Sequence, residues 1–159
     1  MEPAGRPETA SVQLSEPVRT AILEHARREA PNECCGLLVG TPEVVHSAHA
    51  ARNELASPVR FRIDPEDHVG AVRRARAQGR DVIGAYHSHP SSPPIPSSTD
   101  LAEALPHFLY VIASLAPAGG QCPLRAWRLE GRNFVEVPLV TPAGEAGGTR
   151  CESNPRELS

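Results

Sequence analysis

The chain reads as an α+β domain, a mixed and mostly antiparallel sheet flanked by about three helices. Three observations point there. Strand-length apolar runs such as CCGLLVG, DVIGAYHSH and FLYVIASL recur between Gly, Pro and Asn punctuation. Two longer stretches instead carry apolar residues at helical spacing. Neighbouring strand candidates are separated only by Thr41-Pro42 or by GRN, too short for anything but hairpins. At 159 residues, 40% apolar and 22% charged, the chain suits one hydrophobic core.

The elements run in this order. SVQL is a short strand, and a helix comes next, with Ser15 as its cap, Pro17 in its first turn and Val18, Ile22 and Ala26 inward. Pro31 ends it. CCGLLVG, bounded by Asn32 and Gly40, is a buried strand, and EVVHSAHAA is its hairpin partner. RFRID alternates and predicts a further strand. Pro65 opens a second helix with Val69 and Val72 inward and Arg73, Arg74 and Arg76 on a solvated face; Gly79 stops it. DVIGAYHSH is a strand that turns polar at its end, and SSTDLAEALPH makes a short third helix. FLYVIASL, LRAWRLE and FVEVPLV close the domain as three strands. Composition places flexible ends at 1–10 and 141–159 around a single domain over 11–140.

Several classes are disfavoured. A net charge of −3 and a pI near 6.2 lack the basic excess of a nucleic-acid binder. No apolar run reaches the roughly 18 residues of a membrane span, and MEPAGRPETAS has no apolar segment of a secretory signal. The cysteines at 34, 35, 122 and 151 form no C-x-x-C pair, and free thiols predict a cytoplasmic location.

The chemistry gathers in AYHSHPSSPPIPSSTD, residues 85–100. His87 and His89, two apart on a strand, point to one face and can chelate one ion from one side. Asp100, in the first turn of the next helix, is a natural third ligand, which leaves an open position as in catalytic zinc sites. The plainer reading is that Ser97-x-x-Asp100 is a capping box and the prolines only shape a surface loop. The combination favours a metal site. A hydrolase also needs a base, and spacing does not choose among Asp81, Asp100, Glu103 and more distant acids. Elsewhere, His46 and His49 face opposite sides of a strand, and His25 and His68 are expected on exposed helix faces. Cys34 and Cys35 read as core rather than nucleophiles, and Trp127 as core or rim.

HSHPSSPPIPSSTD has the form H-x-H-P, a spacer and P-S-x-x-D, and it resembles the JAMM (MPN-plus) metalloprotease signature. PNECCGLLVG resembles the same family's upstream P-x-E-x-C-G-L-L-x-G motif through Pro31, Glu33, Cys35, Gly36, Leu37, Leu38 and Gly40. The resemblance runs in element order over about residues 12–138, although these two stretches alone are specific. It implies a three-layer MPN/JAB-type, cytidine-deaminase-like fold. It also implies one zinc ion held by His87, His89 and Asp100, with Glu33 as general acid/base and Ser97 stabilising the oxyanion. Ser88 matches a common family residue that supports the loop.

The implied reaction is hydrolysis of an amide or isopeptide bond at the C-terminal Gly-Gly of a ubiquitin-like or sulfur-carrier protein. The spacing leaves no room for ubiquitin-clasping inserts, so the chain resembles the compact prokaryotic type, with a homodimer allowed. The alternatives are a scaffold module without catalysis, or a zinc hydrolase acting on unrelated peptides. A scaffold would lack the ligand residues, and all are present here.

Overall fold

The computed structural model describes residues 10–117 and 122–142. The flexible ends expected from composition fall almost wholly outside this range. The described elements are β1 (Val12–Leu14), α1 (Glu16–Glu29), β2 (Cys35–Thr41), β3 (Val44–Ala51), α2 (Pro65–Ala77), β4 (Asp81–His89), α3 (Ser98–Glu103), β5 (Leu109–Ser114), β6 (Leu124–Glu130), β7 (Asn133–Val137) and β8 (Leu139–Val140). They form the expected α+β architecture, with one sheet in the order β7-β6-β5-β4-β2-β3-β1-β8. Four neighbouring pairs are antiparallel and three parallel.

Strand alternation sorts the side chains into two layers. Leu38, Tyr86, Val111 and Ala126 face α1, whose Val18, Ile22 and Ala26 complete the larger core. Leu37 and Ala85 face the other way, onto Ala71 of α2. His87 and His89 continue the Ala85 row, so the sheet's period of two sets both imidazoles on the α2 face. Gly36 explains why the motif reads C-G-L-L: an added Cβ would run into the Tyr86 ring and the His49 carbonyl.

The sheet curls around α1 until its edges meet. β7 and β8 occupy opposite ends of the strand order, yet only Pro138 separates them in sequence. The Val12 amide donates to the Pro138 carbonyl at 2.9 Å, and Arg128 of β6 reaches the Pro42 carbonyl at 2.7 Å across the seam.

Six local expectations are corrected. FVEVPLV is two strands rather than one, because Pro138 has no amide to continue the ladder. RFRID keeps only a bridge between Asn53 and Ile63, since its backbone is drawn around the Asn53 side chain. Ser15 occupies the cap position of α1 without a side-chain hydrogen bond. Val69 is 50% exposed, and α2 packs through Ala71 and Ala75, small residues that let the helix approach the sheet closely. His25 is buried, its Nδ1 2.7 Å from the Tyr86 hydroxyl. Trp127 is core, donating to the Pro94 carbonyl at 3.2 Å. Among the described cysteines, Cys34 and Cys35 are free and Cys122 is disulfide-bonded, so the expectation of free thiols fails at Cys122. Among the described residues no helix is long and apolar enough to cross a membrane.

Candidate metal centre

Three elements converge at the polar end of β4: β4 itself, the start of α3 and the segment just before β2. His87 and His89 project from β4 with their Nε2 atoms 3.2 Å apart. Asp100, in the first turn of α3, places Oδ2 3.2 Å from His87 Nε2 and 3.4 Å from His89 Nε2. Glu33, just before β2, is buried, with Oε1 3.9 Å from His89 Nε2. All four predicted polar side chains are therefore brought together. Ser97 stands beside them as the cap of α3, its Oγ accepting the Asp100 amide at 3.1 Å.

The donor set fits a zinc ion. Nitrogen and oxygen ligands at about 2.0–2.2 Å from zinc span tetrahedral edges of roughly 3.3–3.6 Å. The His87–His89–Asp100 triangle, with sides of 3.2, 3.2 and 3.4 Å, is close to that size. Glu33 lies with the two imidazoles in a group whose ligand atoms are all within 4.8 Å of one another, which suits a carboxylate beside the ligands. His89 Nδ1 donates to the Pro93 carbonyl at 2.8 Å, so in the neutral ring Nε2 bears the lone pair. That lone pair, a carboxylate oxygen and a second imidazole nitrogen facing one another form a cluster that a cation satisfies.

The electrostatics stem from burial. His87 is lowered by desolvation and stays neutral, as a ligand must be. For His89 burial works downward, but hydrogen bonds to Asp100 and Pro93 and the charges of Asp100 and Glu33 outweigh it. Burial also opposes the charge of Asp100, yet hydrogen bonds from both imidazoles and from the Ser97 amide hold it well below the usual carboxylate range. Desolvation lifts Glu33 to about 7, with His89 pulling it down and Asp100 pushing it up. A carboxyl poised near neutrality can take a proton and return it. The thiols are excluded as nucleophiles, since burial raises Cys34 to about 11 and Cys35 to about 12.

Sequence pattern alone misses Asn53 and Phe61. Asn53 donates to the carbonyls of Glu33 and Arg60 and accepts from the amides of Leu55 and Arg62, all within 3.1 Å. The Glu33 amide in turn donates to the Ser57 carbonyl at 2.8 Å, so the loop after β3 clasps Glu33 from both sides. The same loop lays Phe61 flat on His87, ring centroids 4.4 Å apart. Ser88 completes the frame: its Oγ accepts the Cys34 amide at 2.7 Å, tying the Glu33 segment to the strand that carries both histidines. A loop asparagine that binds its neighbours' backbone is the only sequence signal for this, and it is a weak one. His46 and His49 lie outside the cluster; His49 pairs with Ser47 at 3.0 Å.

Two recesses flank the cluster. One is walled by Phe61, Pro96, Tyr110 and Phe134 and reaches His87 and Asp100. The other, polar and about 200 Å³, reaches Glu33.

This fold and this constellation define a JAMM-type hydrolase, and the chain belongs to the prokaryotic homologs of the JAB domain, which match it over residues 15–130. Among similar proteins is a desampylase of Haloferax volcanii, 39% identical over 140 residues, covering 83% of this chain and 97% of that protein. The CysO-cysteine peptidase of Mycobacterium tuberculosis is 30% identical over 123 residues, covering 75% of this chain and 83% of its own length. A solution structure of DSY2949 from Desulfitobacterium hafniense superposes with a TM-score of 0.74 at 31% identity, over 82% of this chain and 92% of that one.

Proposed function

We propose that this chain is a cytoplasmic zinc-dependent peptidase or isopeptidase, carried by one domain over 11–140, that cuts the amide bond following the C-terminal Gly-Gly of a small ubiquitin-like or sulfur-carrier protein. The observation that carries the reading is the convergence of His87, His89 and Asp100 within 3.4 Å, with the Glu33 carboxylate 3.9 Å from His89. In this reading the two Nε2 atoms and Asp100 Oδ2 hold the zinc. Bound there, zinc supplies Lewis acidity, polarising the scissile carbonyl and making water a nucleophile at neutral pH.

Glu33 takes the proton from the attacking water and hands it to the departing nitrogen, a task suited to a buried carboxyl held near 7. The clasp from Asn53 and Ser57 fixes the Glu33 backbone, so the carboxylate need not be reordered at each turnover. Ser97 uses its oxygen to accept the Asp100 amide, which leaves its own O–H to donate to the oxyanion that develops on the carbonyl. The aromatic recess beside His87 is narrow, and a pair of glycines is the slenderest chain that can thread past it. The similarity to a desampylase and a CysO-cysteine peptidase supports a substrate of this class.

The test is mass spectrometry of a small carrier protein extended beyond its Gly-Gly, incubated with zinc-loaded enzyme. Release of the extension is expected, and Glu33→Gln should keep its zinc while slowing release by about a hundredfold or more. Undiminished cleavage by that variant would remove Glu33 from the chemistry. Cleavage that ignores replacement of either glycine by valine would discard the substrate.

A further inference from the structure

Resting on that reading, we propose that the polar cavity beside Glu33 is the leaving-group site, and that Arg52 there selects a leaving group carrying a free α-carboxylate, namely a single C-terminal amino acid rather than a lysine side chain.

The chemistry dictates which side of the cluster each half of the substrate must take. Hydrolysis breaks the C–N bond, joins the water oxygen to the carbonyl carbon, and sends a water proton through Glu33 to the nitrogen, which departs as an amine. The nitrogen must therefore lie against Glu33. Of the two recesses, only the polar one is lined by Glu33, while the aromatic one is lined by His87 and Asp100. The acyl half, ending in Gly-Gly, accordingly takes the aromatic side and the amine half the polar side.

The size of the polar cavity limits what fits in it. At about 200 Å³ it holds roughly six waters at ~30 Å³ each, room for one small amino acid. Its charges are of both signs. Glu29 and Glu33 line it, and so does Arg52, with Asn32 and Asn53 as neutral donors and acceptors between them. The Arg52 backbone is pinned at both ends, its amide to Asp67 Oδ2 at 2.8 Å and its carbonyl by the Asp64 amide at 3.0 Å. Its guanidinium, by contrast, makes no ion pair among the described residues. Asp67, the nearby acid, is occupied by the backbone contact.

A departing α-amino acid matches this set at each end. Its new amine lies against Glu33, with Glu29 near to favour the ammonium, and its carboxylate meets the unpaired guanidinium, which is built for a bidentate carboxylate. A lysine in a protein conjugate brings no carboxylate to that position, only a four-carbon stem.

The experiment uses three synthetic probes with one acyl sequence ending in Gly-Gly. The first carries alanine with a free carboxylate after the glycines, the second alanine amide, and the third the side-chain nitrogen of a doubly capped lysine. Zinc-loaded full-length protein should cleave the free acid about ten- to a hundredfold better than the amide, the range for one charge-assisted contact. Arg52→Gln should erase that preference, mostly through KM, and leave the amide and lysine probes nearly unchanged. Arg52→Lys should restore part of it.

Titration of the protein with free alanine, monitored by NMR, gives a readout independent of turnover, and Arg52→Gln should weaken that binding. Equal cleavage of acid and amide, with Arg52→Gln affecting both alike, overturns the proposal, as does preferred cleavage of the lysine probe. If no probe is cleaved, the proposed function fails by itself. Alanine binding then decides this site alone: weakening in Arg52→Gln supports it, and absent binding overturns it.

Discussion

Asp100 serves two ends with one oxygen. Its Oδ2 accepts the Ser97 amide at 2.8 Å, closing the capping box of α3, and the same atom faces both imidazoles at 3.2 and 3.4 Å. Cap and ligand are therefore not rival readings of Ser97-x-x-Asp100, because the cap is what aims the carboxylate.

On the opposite face of the sheet, His25 shows how burial alone can set a pH response. Desolvation lowers its pKa, Arg28 lowers it further, and Glu29 only partly offsets this, so the folded imidazole is neutral against the Tyr86 hydroxyl. As pH falls below about 6.5 the unfolded chain binds this proton before the native one does, so stability is full above that pH and declines below it. His25→Gln keeps a partner for Tyr86 and removes the titration. The melting-temperature gap between wild type and this variant should therefore narrow as pH falls from about 7.5 to about 5.5. A gap that stays constant would show that His25 does not titrate differently on folding.

At the scale of elements, the segment between β3 and α2 is organised by one side chain. Asn53 satisfies four backbone groups, and through them joins the position of Glu33 to that of Phe61 over His87. Asn53→Ala should cost about 1–3 kcal/mol, since it removes four side-chain-to-backbone hydrogen bonds at once. The loop should open to limited proteolysis near 54–62, and kcat should fall while bound zinc persists, because none of the donor atoms belongs to this loop. Loss of zinc together with activity would instead mean that the loop holds up the ligands. The short helix α3 works differently. It has no buried residues, and it owes its place to its cap and to the prolines before it.

Across the whole molecule, the site lies where elements distant in sequence are forced together. Glu33 precedes β2, the histidines end β4, and these two antiparallel strands are neighbours, with Cys35 directly opposite His87. Because the sheet curls onto α1 and closes at Pro138, a shift of β4 against β2 would disturb the entire larger core. That rigidity makes the donor set preformed, and an ion that binds only the folded chain stabilises it. Zinc at about a hundred times its Kd should add ~2.7 kcal/mol, visible as a rise in melting temperature. His89→Ala should abolish the rise and the zinc content. Unchanged melting on zinc addition, with no metal taken up, would count against the centre.

Much of this was written locally. Val18, Ile22 and Ala26 at helical spacing dictate α1, and Pro42 and Gly131 mark the hairpin turns. The H-x-H spacing alone puts two imidazoles on one face, since a strand's period of two allows nothing else. Local pattern could not say that RFRID would keep only a single bridge, that Val69 would face solvent, or that His25 would be buried. Each of these depends on which backbone reaches a segment first. Asn53 captured the Arg62 amide that RFRID would have given to a ladder, alanines allowed α2 closer than valines would, and Tyr86 arrived from sixty-one residues away to cover His25. The meeting of Glu33 with His89 is likewise a product of strand order, which hydrophobic burial decides over the whole sheet and no short stretch of sequence encodes.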